Sequence, residues 1–299
     1  DSINIKCMFN KCHKLKSPYG INRFDTSQVI DMSYLFQECK ELEELNLSNF
    51  NTSQVIDMSC IFNGCCKLKS ITGLDSFDTS NITNMASMFQ ECKELEELNL
   101  ASFETSKVTN MNSMFNKCQK LKEINGINKL KTENVTNMGL MFQECNEIEE
   151  LDLSGFNTEN VTNMEFMFNK CLKLKAIKGL INFNTSKVTN MGSMFQECNE
   201  LLDVDLSSFD TSRVKNMECI FNLCHQLKLI NGIMNFDTSQ VTNMKLMFQE
   251  CMELEELDLS NFETSKVNDM MSMFNKCIKL KSLNILKFSF KNECNRNNM

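Results

Sequence analysis

Residues 77 to 103 read Phe-Asp-Thr-Ser-Asn-Ile-Thr-Asn-Met-Ala-Ser-Met-Phe-Gln-Glu-Cys-Lys-Glu-Leu-Glu-Glu-Leu-Asn-Leu-Ala-Ser-Phe, one turn of a pattern that fills the chain. Aligned on the Phe that follows Met, Leu or Ile, it recurs at Phe9, Phe36, Phe62, Phe89, Phe115, Phe142, Phe168, Phe195, Phe221, Phe248 and Phe274, alternately 27 and 26 residues apart. A fixed period of this size marks a solenoid, because one such coil cannot bury its apolar face alone. The alternating spacing makes the repeating unit a 53-residue pair of coils. Counted from the anchoring Phe, Val or Ile stands seven before (Val55, Ile82, Val108), Met four before, Cys three after and Leu or Ile six after. A second Phe stands twelve before, replaced by Leu130 in one copy. These columns are the expected core.

Within a coil, Met85, Met88, Phe89 and Cys92 fall at i, i+3, i+4 and i+7, which predicts one face of a two-turn helix. The residue before that stretch is Asn or Asp, from Asp31 to Asp269, as suits an N-cap. Leu98-Asn99-Leu100 alternates and predicts a short strand. The longer coils add Gly20, Gly73, Gly126, Gly179 or Gly232 after that strand, which predicts a bulge or turn. The expected fold is an α/β solenoid: a leucine-rich-repeat-like, right-handed stack with one short parallel strand and one short helix per coil. It runs as a single domain of about eleven coils over residues 1–290, with a polar tail over 291–299.

Phe-Asp-Thr-Ser-Gln-Val-Thr-Asn-Met (236 to 244) and Met-Phe-x-x-Cys-x-x-Leu-x-x-Leu-Asp-Leu-Ser (247 to 260) resemble the 26-residue repeat of bacterial surface proteins. That BspA-like leucine-rich repeat family is also known as a Mycoplasma repeat of unknown function. The resemblance covers roughly residues 7 to 288. It implies a leucine-rich-repeat-like solenoid on a cell-surface or secreted protein, with adhesion or protein binding as its role and no catalytic residues. The strict two-coil alternation departs from the family, and Asp1 lies inside a repeat, which leaves open whether an upstream signal peptide or further coils are missing.

Composition narrows the function. With 31 basic and 39 acidic side chains the net charge is −8, so a basic nucleic-acid surface is not expected. No run of about 18 apolar residues is present to span a membrane. The charges are patterned. Five and seven residues after each anchoring Phe, the shorter coils carry Glu (Glu41 and Glu43, Glu94 and Glu96) and the longer coils Lys (Lys67 and Lys69, Lys120 and Lys122). Stacked coils would set each Lys beside Glu above and below, fixing register; the same alternation could also join two molecules end to end into a filament.

Eleven of the 16 cysteines, from Cys12 to Cys277, share one core column and read as buried thiols. Cys7, Cys60 and Cys219 give Cys-x4-Cys with Cys12, Cys65 and Cys224, which is not the zinc spacing, and no metal or cofactor is expected. Unpaired cysteines lean toward a cytoplasmic location and the resemblance toward the surface; both stay open here. His13 and His225 sit at one repeat position and are expected to be exposed. Phe166, Leu202, Leu229 and Met234 depart from the repeat and read as local packing. The chain is not expected to be an enzyme. A column of threonines (Thr26 to Thr264) offers either a regular ice- or glycan-facing array or, the preferred reading, hydroxyls bonding the turning backbone. The candidate binding face comprises the outward strand positions of the shorter coils: Glu44, Asn46, Glu97, Asn99, Glu150, Asp152, Asp203, Asp205, Glu256 and Asp258. Its expected partner is a protein or cell-surface ligand.

Overall fold

The computed structural model describes residues 3–289; the expected polar tail over 291–299 lies outside them. The chain divides after Ile148 into two compact units. In each, coils stack so that equivalent residues lie one above another. The first unit holds β1 (Glu44–Asn46), β2 (Ser70–Thr72), β3 (Glu97–Asn99) and β4 (Glu123–Asn125). The second holds β5 (Glu150–Asp152), β6 (Ala176–Lys178), β7 (Asp203–Asp205), β8 (Leu229–Asn231), β9 (Glu256–Asp258) and β10 (Ser282–Asn284). The strands pair in parallel, two by two, each Glu-bearing coil with the Lys-bearing coil that follows: β1 with β2, β3 with β4, β5 with β6, β7 with β8, and β9 with β10.

Pairing stops there because the longer coil turns away. Gly73 follows β2 at φ +96° and opens a 3-10 turn over Leu74–Ser76. A Cβ on Gly73 would lie 2.5 Å from the backbone N and Cα of Ser48, so this position needs both the left-handed conformation and the missing side chain.

The expected helix does not form. In the coil of Phe36, Leu35 N donates to Met32 O and Cys39 N to Phe36 O, while Met32, Tyr34, Phe36 and Glu38 donate to Asp57, Ser59, Ile61 and Asn63 in the next coil. An α-helix would bond every amide four residues back. Here local three-residue bonds alternate with bonds between coils. Two four-residue turns follow one another, each with its third residue left-handed: Tyr34 at φ 61° and Glu38 at φ 56°. The same two positions are left-handed in every coil, from Cys7 and Lys11 to Ser272 and Lys276, with Gly64 the glycine among them. The corners of both turns, Met32, Leu35, Phe36 and Cys39, point inward, so a turn pair yields the i, i+3, i+4, i+7 spacing of a helix face. The expected N-cap is accordingly a turn-maker: Asp31, Asp57 and Asn84 each accept, through Oδ1, the amide two residues on.

The core is the predicted one. Val55, Met58, Phe62, Cys65 and Leu68, and their counterparts in the other inner coils, are fully buried. The anchoring phenylalanines stack face to face at 5.3 to 6.3 Å from Phe9 to Phe142, and at 5.5 to 5.8 Å from Phe168 to Phe274. Thr26, Thr52, Thr79 and Thr105 are buried and donate to carbonyls of the next coil at 2.8 to 3.0 Å.

Candidate functional site

Each of the ten candidate residues is the first or last residue of a three-residue strand whose middle residue points into the core. Alternation puts their side chains outward. Glu44, Asn46, Glu97 and Asn99 belong to the first unit, and the other six to the second. Asp152 and Asp258 are half-buried and the other eight exposed.

The two ends of each strand do different jobs. Asn46, Asn99, Asp152, Asp205 and Asp258 accept the backbone amides of Ser48, Ala101, Ser154, Ser207 and Ser260 through Oδ1, at 2.9 to 3.1 Å. They close the turn that leaves the strand. The serine side-chain and backbone hydrogen bonds hold the Asp205 carboxyl below its ordinary range, and the Ser260 amide does the same for Asp258. The leading carboxylates, Glu44, Glu97, Glu150, Asp203 and Glu256, close no such turn; Glu150 meets Lys178 at 3.2 Å.

Beside this stripe run the charge ladders. Lys67 meets Glu41 at 2.7 Å, Lys69 meets Glu43 at 2.8 Å, Lys120 meets Glu94 at 2.7 Å and Lys122 meets Glu96 at 2.6 Å. Lys279 and Lys281 repeat this with Glu253 and Glu255 at 2.7 and 2.8 Å. These bonds join the coils whose strands pair. Contact on the other side is longer, as between Lys175 and Glu200 at 3.8 Å. The lysine hydrogen bonds hold Glu43, Glu96 and Glu255 below the ordinary carboxylate range and raise their lysines. The sequence reading missed a third column at the second left-handed position, where Lys117 meets Glu91 at 3.5 Å and Lys276 meets Glu250 at 2.7 Å. Its signal was there: Glu38, Glu91, Glu144, Glu197 and Glu250 alternate with Lys11, Lys117, Lys170 and Lys276.

The cysteine column is structural. Among the described residues every cysteine is a free thiol. Sγ of Cys39, Cys65, Cys92, Cys118, Cys145, Cys198, Cys224, Cys251 and Cys277 each donates to the carbonyl of the anchoring Phe one coil earlier, at 3.0 to 3.2 Å. Burial pushes the Cys39, Cys118 and Cys224 thiols up to about 12, and those of Cys65, Cys92 and Cys251 well above their ordinary value. Such thiols are poor nucleophiles. His13 is exposed and its Nδ1 lies 2.9 Å from the Glu38 carbonyl oxygen; His225, expected to be exposed, is half-buried with Nε2 3.6 Å from the Glu250 carboxylate.

Leu202, Leu229 and Met234, read as packing, are instead 44%, 52% and 47% exposed. Their repeat positions point outward, so an apolar residue there gains no core. Leu229 and Met234 line a groove of about 610 Å³ between β8 and β9.

No group of three or more metal-ligating side chains is present among the described residues, and no helix there is long and apolar enough to cross a membrane. No curated protein matches this sequence. Solved structures similar to the chain include a leucine-rich cell surface protein from Faecalibacterium prausnitzii, 17% identical over 86% of this chain and 77% of that one, with a TM-score of 0.47. Leucine-rich repeat proteins from Bacteroides ovatus (16% identical, 95% of this chain and 78% of that one, TM-score 0.41) and Eubacterium ventriosum (15%, 91% and 84%, 0.37) are also similar. The repeat pattern of one family matches residues 3–123, 65–176, 93–201, 146–230 and 201–299, which together take in nearly the whole sequence. On that coverage, the chain belongs to the family described as Mycoplasma protein of unknown function, DUF285.

Proposed function

We propose that this chain is a non-enzymatic protein-interaction scaffold, displayed at the cell surface or secreted, that holds its partner on the outward strand face. The observation that carries this reading is the repetition of one exposed carboxylate at the leading end of β1, β3, β5, β7 and β9. Regular, rigidly spaced side chains on a solenoid suit a macromolecular partner, because each contact is weak and many act together. The unlike groups that catalysis would gather at one place are here spread one per coil. Surface display follows the family resemblance. The cysteines buried in the core, from Cys39 to Cys251, do not oppose it, since neutral thiols bonded to the backbone resist oxidation; Cys12, expected in that column, is exposed with Cys7 in the first coil, where no preceding coil among the described residues covers it.

The test uses the purified chain against an array of extracellular-matrix and cell-surface proteins. Replacing Glu44, Glu97, Glu150, Asp203 and Glu256 together by Gln or Asn should abolish binding while leaving the melting temperature unchanged. Binding that survives the replacement would sink the strand-face assignment. Labelling of intact source cells with a membrane-impermeant amine reagent tests the location: an unlabelled protein in labelled cells would contradict display.

A further inference from the structure

Where the repeat is broken on its outside, the structure opens a groove. β8 and β9 are neighbouring strands without hydrogen bonds between them. The cleft between them is floored by Ile230, Ile233, Leu254 and Leu257, all nearly or fully buried. Leu229 stands where other longer coils carry Ser70, Glu123, Ala176 and Ser282, and Met234 where they carry Asn22, Asp75, Asn128 and Ile181. The equivalent cleft between β2 and β3, with Asp75 in the place of Met234, measures about 240 Å³ against about 610 Å³ here. The larger value falls in the range typical of ligand clefts, roughly 300 to 1,000 Å³. Three carboxylates, Asp205, Glu256 and Asp258, stand among its lining residues, and no basic residue does. The charge ladder lapses in the coils of β7 and β8, beside the groove: Leu202 replaces its Glu and Gln226 its Lys.

We propose that the groove between β8 and β9 binds an extended segment of a partner protein that presents an aliphatic side chain flanked by Lys or Arg. The aliphatic group covers Leu229, Met234 and the apolar floor, removing exposed hydrocarbon from water. In an extended segment, residues two apart share a face about 7 Å apart, so basic groups at those positions flank the aliphatic one and meet the carboxylates of the walls. The inference deepens the scaffold reading and rests on it.

Fluorescein-labelled Lys-Ser-Leu-Ser-Lys, titrated against the full chain, tests it, with Lys-Ser-Ser-Ser-Lys and Glu-Ser-Leu-Ser-Glu as controls. Saturable binding at least tenfold tighter than either control is expected, weakening with added salt. The double variant Leu229→Ser and Met234→Asn installs residues that other coils already carry and should lower that affinity at least tenfold without changing the melting temperature. Asp205→Asn with Asp258→Asn is an independent pair, with Asn as at Asn46 and Asn99, and should weaken the Lys-flanked peptide specifically. No saturable binding, equal binding of the Glu-flanked peptide, or equal affinity in the Leu229/Met234 variant would each overturn the proposal. If the peptide fails these tests while array partners still bind through the strand-face carboxylates, the groove assignment alone fails and the scaffold reading stands.

Discussion

The inner column of methionines shows what a single residue does in this fold. Met138 is fully buried, one of the corners that two consecutive turns point inward. Met138→Asp would place a carboxylate there with no partner, and should cost about 3 to 5 kcal/mol, whereas Met138→Leu should cost less than about 1.5 kcal/mol. Urea unfolding of both variants measures the difference; equal stabilities would refute the core assignment. Gly73→Ala probes a different cause. The new Cβ would have to occupy space 2.5 Å from the Ser48 backbone and hold φ near +96°, so destabilisation of about 1 to 3 kcal/mol is expected. Wild-type stability in that variant would mean that the approach of the two coils is not required.

At the scale of the element, much was legible and one assignment was not. Burial columns, strands and the Gly-led turns follow from alternation and spacing, and the observed strand at Glu97–Asn99 continues into the bond from Leu100 N to Asn125 O. The helix was misread because Met85, Met88, Phe89 and Cys92 would be spaced alike on a helix face and on a pair of turns. What separates them is the left-handed backbone at Ser87 and Glu91, residue types that do not announce it as Gly or Asn would. The outward carboxylates were legible for the same reason as the strands. The groove was not, because an apolar departure looks the same whether it packs inward or stays exposed.

The ladders that lock neighbouring elements carry a pH signature. Glu43, Glu96 and Glu255 have lowered carboxyl values in the folded chain, so their stabilisation is complete above the unfolded value of about 4.3 and is lost as pH falls through the folded one. Lys69, Lys122 and Lys281 are raised, so theirs is complete below about 10.4 and is lost as pH rises further. The melting temperature should therefore hold a plateau between those limits and drop on both sides, with both drops shallower at high salt because these pairs are exposed. A melting temperature that fails to fall on acidification at low salt would remove the ladders from the stability account.

For the whole molecule, the repeating unit is the coil pair rather than the coil. Strand pairing, the shorter lysine–glutamate bonds and the Gly-led turn all distinguish the inside of a pair from the junction that follows it. In a stack whose stability is a sum of nearest-neighbour contacts, removing whole units changes little and removing half of one changes much. Deletion of residues 77–129 removes 53 residues and restores the alternation of Glu and Lys coils across the join. Deletion of residues 77–102 removes 26 and sets Lys67 and Lys69 beside Lys120 and Lys122, with β4 deprived of β3. Thermal melting of these two deletions beside the full chain is the most direct measurement of that claim. The 53-residue deletion should melt close to the full chain and the 26-residue deletion about 10 °C or more below it; equal melting of the two shortened chains would contradict the coil pair as the unit of this fold.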